Sequence, residues 1–157
     1  MTDQVGAELR VVDAARRVGI RRLVKLSLLA ADSEACHHAR VHRAIERAIE
    51  ESGLAYTLLR PVEFMQNFLT VYAPAIQQGV LRVPFGDAAE SFIDVRDIAA
   101  VALVCLTSDR FIGRTLDLFG PEPLTYAAIA TELSRAIGRP IRELLRPVLR
   151  RGEVHVS

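Results

Sequence analysis

Apolar positions along this chain switch between helical and strand spacing, and the switches outline its elements. Val5, Leu9, Val12 and Ala15 form one stripe, which predicts a first helix running to about Val18. Gly19 is placed to close it in the left-handed conformation, with Ile20 packing back. Residues 23–29 are a short apolar run, the pattern of a strand buried on both faces. Asp32 or Ser33 is placed to cap the next helix, which turns Val41, Ile45 and Ile49 inward and ends at Gly53. Residues 56–59 are a compact β-favouring run, and Arg60-Pro61 stops it because proline offers no ladder donor. Strand, helix and strand together span the length of a βαβ unit. Its crossover is right-handed almost without exception, so both strand ends open on one edge. In open parallel sheets that edge binds ligands.

Beyond Pro61 the pattern is looser. Phe64, Phe68 and Val71 predict a third helix from near Glu63, which Pro74 should kink or end. Residues 79–85 read as a weaker edge strand bounded by Pro84 and Gly86, and residues 91–95 as extended. Asp94 reads as a helix cap, with Asp97 in a capping-box-like position. Ile98, Val101, Ala102 and Cys105 give that helix an apolar face. Residues 116–119 form another strand, stopped by Gly120-Pro121. Thr125 caps a last helix through Ile137, ended by Gly138-Arg139-Pro140. The order predicts an α/β fold. Residues 1–145 form the domain, and residues 146–157 a basic, patternless tail.

Composition narrows the function. The chain has 157 residues, half of them apolar and a quarter charged, as in an ordinary globular domain with a usable core. A net charge of +1 gives no electrostatic case for nucleic acid or an anionic membrane. No apolar run approaches the ~20 residues of a membrane span, and the first residues lack a signal-peptide pattern. Cys36 and Cys105 are too few for a disulfide framework, so a reducing cytoplasm is the expected compartment.

One stretch carries a resemblance. Residues 52–68, SGLAYTLLRPVEFMQNF, resemble the NmrA-like branch of the atypical short-chain dehydrogenase/reductases. Residues 12–27, the segment His42-Arg43-Ala44-Ile45-Glu46, residues 92–99 and residues 115–126 resemble further parts of that family in the right order. The match runs from about Leu9 to Leu145. The resemblance implies part of a Rossmann-type parallel sheet, flanked by helices, with a small C-terminal substrate-side lobe after Pro61. It also implies NAD(P) as cofactor. The family opens with a Gly-rich turn that seats the pyrophosphate on a helix N-terminus. Gly6, Gly19 and Gly53 stand alone and supply no such turn. By resemblance the first three strands are absent, so cofactor binding by this chain alone is expected to be weak or lost. The flank of the strand at residues 23–29 is then open to another chain.

Candidate chemistry follows from the same comparison. The parent group often uses a Tyr-x-x-x-Lys pair, and the matching positions here resemble His38 and His42. Four residues apart, both lie on one helix face, in line with Ile45 and Ile49. His42 could bond a ribose or act as an acid near neutral pH; the alternative is a structural pair at a helix rim. Cys36, His37, His38 and His42 offer metal-type ligands, but no further ligand is marked, and no dedicated metal is expected. Ser27 ends the first strand, where the family faces the nicotinamide and serine can bond a substrate carbonyl; otherwise it is a turn residue. By resemblance the loop of Pro61, Val62, Glu63 and Phe64 lies beside the nicotinamide, with Phe64 at core spacing. Asn67 is placed to meet substrate or cap local backbone. Arg60 is expected to pair at a strand end, Asp97 to serve a helix N-terminus. Arg16, Arg17, Arg21 and Arg22 read as a solvated helix end.

These features imply an NAD(P)H-dependent reductase acting on a quinone or small carbonyl, or a truncated remnant of one. The alternative is a non-enzymatic redox-sensing regulator or scaffold, joined to a homo-oligomer mate or partner chain through the open edge.

Overall fold

A computed structural model describes residues 3–83 and 88–145. The first helix, α1, spans Gln4–Val18 and closes on Gly19 at φ 66°, with the Ile20 amide reaching the Ala15 carbonyl. Strand β1 spans Leu23–Leu26, and α2 spans His37–Glu51. Strand β2, Tyr56–Pro61, follows a turn through Gly53 at φ 76°. The expected cap of α2 moves. Asp32 and Ser33 sit in a short 3-10 turn, flanked by Ala30 and Glu34 in left-handed conformations. That turn delays the helix until Cys36, whose Sγ accepts from the Ala39 amide at 3.4 Å.

The third helix expected from Glu63 does not form. Phe64 instead bridges to Ile93, with the Ile93 amide on the Glu63 carbonyl and the Met65 amide on the Ile93 carbonyl. A 3-10 turn at Met65–Leu69 and a short helix α3, Ala73–Gln77, follow. Pro74 stands in the first turn of α3 and so starts a helix rather than ending one, since its missing amide costs nothing there. Strand β3 is Val80–Val83, and the rest of the predicted strand lies outside the described residues. Strand β4, Ala89–Glu90, leads to α4, Val95–Thr107, capped by Asp94 on the Arg96 amide. Strand β5, Arg114–Leu118, and β6, Leu124–Thr125, precede α5, Tyr126–Ile137. Thr125 caps α5 at its start and Gly138, at φ 76°, at its end. Strand β7 is Arg142–Leu145, and the basic tail lies outside the described residues.

The main sheet is parallel, in the order β1-β2-β5. Along β2, successive side chains point to opposite faces. Leu58 packs with Val12, Ile45 and Ile49 under α1 and α2. Leu59 packs with Ile93, Ile98 and Cys105 under α4. Helices therefore cover both faces, as a parallel sheet requires. The reading of β1 as buried on both faces is corrected: β1 pairs only β2 among the described residues, and Leu26 is 44% exposed. A second core joins Ile76, Leu81, Phe92, Tyr126, Ile129 and Ile141 into the lobe after Pro61. There β3 pairs β7 in parallel and β4 pairs β6 antiparallel. The lobe stands at the carboxyl end of the main sheet, where Glu63, Phe64 and Ile93 tie the two together.

Candidate functional site

Three parallel strands end on one edge, at Leu26, Pro61 and Leu118, and the loops beyond them are pinned by backbone bonds. The Ser27 amide donates to Leu59 at 2.7 Å, the Leu29 amide to Pro61 at 3.1 Å, and the Val62 amide to Leu118 at 3.0 Å. These bonds hold a cleft of about 470 Å³ between the sheet edge and the lobe. Of the residues grouped from the sequence, Ser27, Pro61, Val62, Glu63, Phe64 and Asn67 line it and His42 does not. Leu28, Leu29 and Glu90 complete the wall. A larger hollow of about 650 Å³ lies against α5 and residues 138–141, away from every strand end of the main sheet. Its Ser134 hydroxyl is already used between Ala130 and Ile141.

His42 does not line the cleft. It is half-buried on α2, its Nδ1 3.4 Å from Lys25 Nζ, and Lys25 in turn is 3.0 Å from Glu8. Burial, then the Lys25 charge, lowers the His42 pKa, so the imidazole is neutral near pH 7 and receives rather than gives a proton here. His38 is exposed and makes an edge contact with His37. The expected inward face of this histidine pair is thus corrected: the buried residues of α2 are Ala39, Ile45, Glu46 and Ile49, and the stripe through the two histidines leaves the core in the first turns of the helix. Among the described residues, no group of three or more His, Cys, Asp or Glu is placed to hold a metal.

Sequence reasoning missed the group beneath Ser27. Glu46 is wholly buried, and its two oxygens take four donors. Ser27 Oγ donates to Oε1 at 2.6 Å and Arg60 Nε to the same oxygen at 2.9 Å. Arg60 Nη2 and Arg43 Nη1 donate to Oε2 at 2.7 and 3.1 Å. Burial alone would raise the Glu46 pKa, but the bonds from Arg60, Ser27 and Arg43 outweigh it and hold the carboxylate below its ordinary value. Arg60 also reaches Asp32 at 3.2 Å, which satisfies its expected role at a strand end. The consequence for the cleft is local: the Ser27 proton points inward, and its lone pairs remain for whatever enters.

The opposite wall is acidic. Tyr72 Oη donates to Glu63, and Asn67 Nδ2 donates to the same carboxylate at 3.2 Å. Tyr126 Oη donates to Glu90 at 3.3 Å. Burial, then the nearby Glu63 charge, raises the Glu90 pKa. Burial likewise pushes both tyrosines well above their usual range. Glu90 had no sequence signal, since it sits in a two-residue strand between irregular segments.

A pinned cleft at the carboxyl edge of a helix-covered parallel sheet is the ligand position of Rossmann-type folds. The NmrA-like family model matches residues 1–149. The chain belongs to the NmrA-like family. It is 41% identical over 136 residues to a (4-alkanoyl-5-oxo-2,5-dihydrofuran-3-yl)methyl phosphate reductase from Streptomyces griseus, covering 85% of this chain and 48% of that protein. It is 37% identical over 142 residues to an NAD(P)H azoreductase from Xenophilus azovorans, covering 89% of this chain and 49% of that protein. A solved NADPH-dependent quinone oxidoreductase from Escherichia coli, in complex with NADPH, superposes with a TM-score of 0.79 at 27% identity. That match covers 92% of this chain and 53% of the other. This NmrA-like chain therefore spans about half the length of the relatives it matches. Its α/β architecture is that of Rossmann-type NAD(P)-binding reductases. No helix among the described residues is long and apolar enough to cross a membrane.

Proposed function

We propose that this NmrA-like chain forms the acceptor side of an NAD(P)H-dependent reductase acting on a quinone or small carbonyl. The observation that carries the reading is the cleft: residues from two strand ends, the pinned loop after Pro61 and the lobe converge on one space. Pro61, Val62, Phe64, Leu28 and Leu29 give it flat apolar walls suited to an aromatic ring. The nicotinamide end of a dinucleotide fits these residues. The pyrophosphate end does not fit the described ones, because Gly19, Gly53, Gly79, Gly113 and Gly138, with positive φ, all follow helices or turns and none opens a helix. Binding by this chain alone is accordingly weak. When bound, a reduced nicotinamide supplies a hydride. The chain's own part is to hold the ring against Pro61 and Val62, to offer Ser27 lone pairs to a donor group, and to exclude water with Phe64.

Relatives named as reductases favour this reading over a non-catalytic regulator. The test is NADPH titration by fluorescence, followed by NADPH consumption with 1,4-naphthoquinone. Saturable binding with turnover supports the reading. Binding that survives when Val62→Trp fills the cleft would remove the cleft from the cofactor's site.

A further inference from the structure

Reduction of a quinone or carbonyl needs a proton as well as a hydride. The cleft wall limits where that proton can come from. Ser27 gives its proton to Glu46, and Asn67 turns its amide toward Glu63. Tyr72 and Tyr126 spend their hydroxyl protons on Glu63 and Glu90. His42 stands outside the cleft. Among the described residues lining it, Glu63 and Glu90 alone are carboxyls, and no lysine, arginine or histidine joins them.

We propose that Glu90 is the catalytic acid of this cleft, the carboxyl on its wall that delivers a proton to the acceptor. The proposal rests on the reductase reading above.

The geometry divides the two carboxyls. Glu63 receives two neutral side-chain donors, from Tyr72 and from Asn67. Glu90 receives one long side-chain bond, from Tyr126, and a backbone bond from Glu63. Among the described residues, the groups facing Glu90 are Glu63 after β2, Tyr72 before α3, Tyr126 at the start of α5, and Leu124 opposite it in β6. None is cationic. Both carboxyls line the cleft, and burial, then the Glu63 charge, raises the Glu90 pKa. In the step, hydride arrives at an acceptor atom, the acceptor's π electron pair moves to oxygen, and the Glu90 O–H bond breaks as that oxygen takes the proton. The acceptor is reduced, the nicotinamide oxidised, and the Glu90 carboxylate regains a proton from water once product leaves.

The test uses the whole chain and has two arms. Carbon-13 NMR follows the glutamate side-chain carboxyls against pH, with E90Q and E63Q for assignment. Glu90 is expected to titrate above the ordinary glutamate range, and E63Q to bring it back toward that range. A Glu90 that titrates like an exposed glutamate overturns the proposal, whatever the turnover. In the second arm, NADPH consumption with 1,4-naphthoquinone is measured against pH. E90Q should lower kcat by about a hundred- to ten-thousandfold with KM little moved, and E90D should recover part of it. Wild-type kcat should fall as pH rises through the Glu90 titration. E90Q or E90D turning over at the wild-type rate with an unchanged pH profile overturns the proposal. A wild-type chain without turnover counts against the reductase reading itself, and the titration arm then decides the protonation of Glu90 alone.

Discussion

Glu46→Gln is the sharpest perturbation of this molecule. Glutamine keeps the shape of glutamate and removes its charge. Both Glu46 oxygens receive an Arg60 N–H, at 2.9 and 2.7 Å. Either orientation of the new amide therefore sets an N–H₂ group against an Arg60 donor. Arg60 is only 8% exposed, so its charge is left buried with Asp32 as its remaining acidic partner at 3.2 Å. Removing one partner of a buried ion pair costs about 3–5 kcal/mol. Against a typical stability of about 5–15 kcal/mol that is a large fraction. At about 2–4 °C per kcal/mol for a chain of this size, Tm should fall by roughly 10 °C.

The assay is urea unfolding at pH 7 and again at lower pH. Glu46 has a folded pKa below its ordinary value of 4.5, so its contribution is fully present above that pH and is lost as pH falls through the folded pKa. Wild type should lose stability on acidification, and E46Q should lose less over the same window. The pair variant E46L/R60M removes both charges and should be less destabilised than E46Q, since no unpaired charge remains. An E46Q protein within about 0.5 kcal/mol of wild type, the ordinary range of surface changes, would refute the buried-network account.

Other changes follow from single contacts. A Cβ at Gly120 would lie 1.9 Å from the Phe92 carbonyl oxygen, so Gly120→Ala forces backbone apart and should cost about 1–3 kcal/mol in urea unfolding. Thr125→Ala loses the bond to the Ala128 amide at 3.1 Å and should cost about 1 kcal/mol. Cys105 is buried, and burial raises its thiol pKa, whereas Cys36 is exposed. A thiol reagent at pH 8 should therefore modify Cys36 in the folded chain and reach Cys105 only on unfolding. Glu90 has the opposite sign to Glu46: its raised pKa means that stability falls as pH rises from the ordinary value of 4.5 through the folded pKa, and E90Q should flatten that fall.

Local chemistry was legible in the sequence wherever one residue decides the backbone. Gly19 and Gly138 close their helices, and Asp94 and Thr125 open theirs, because caps act within a few residues. The Ile45 and Ile49 stripe named the face of α2 that meets the sheet. Long-range pairing was not legible. Phe64 keeps helical spacing with Phe68, yet its backbone bridges Ile93, a partner that spacing cannot show. Glu46 stands three residues from Arg43 and so looks like half of a surface pair; only the fold brings Arg60 and Ser27 onto it. The cleft loop is legible as a unit because its residues are contiguous, while Glu90 reaches the same cleft from a distant strand.

The commitment of the Ser27 proton decides what the sheet-side wall can bind. Serine offers one proton and two lone pairs. With the proton on a buried carboxylate at 2.6 Å, reversing it would leave a Glu46 lone pair without that donor inside the protein. A carbonyl oxygen placed against Ser27 would then face oxygen lone pairs, which repel it, whereas an amide N–H₂ or a hydroxyl would be held. On the proposed mechanism the reacting oxygen belongs on the Glu90 side and the donor group on the Ser27 side, so the two walls orient a ligand between them. Ser27→Ala should therefore weaken binding, raising KM or the NADPH dissociation constant by about tenfold, the worth of one hydrogen bond, while leaving kcat nearly unchanged. A Ser27→Ala chain whose kcat collapses with KM unmoved would show that the serine gives its proton in the reaction, and the inward orientation set by Glu46 would be wrong.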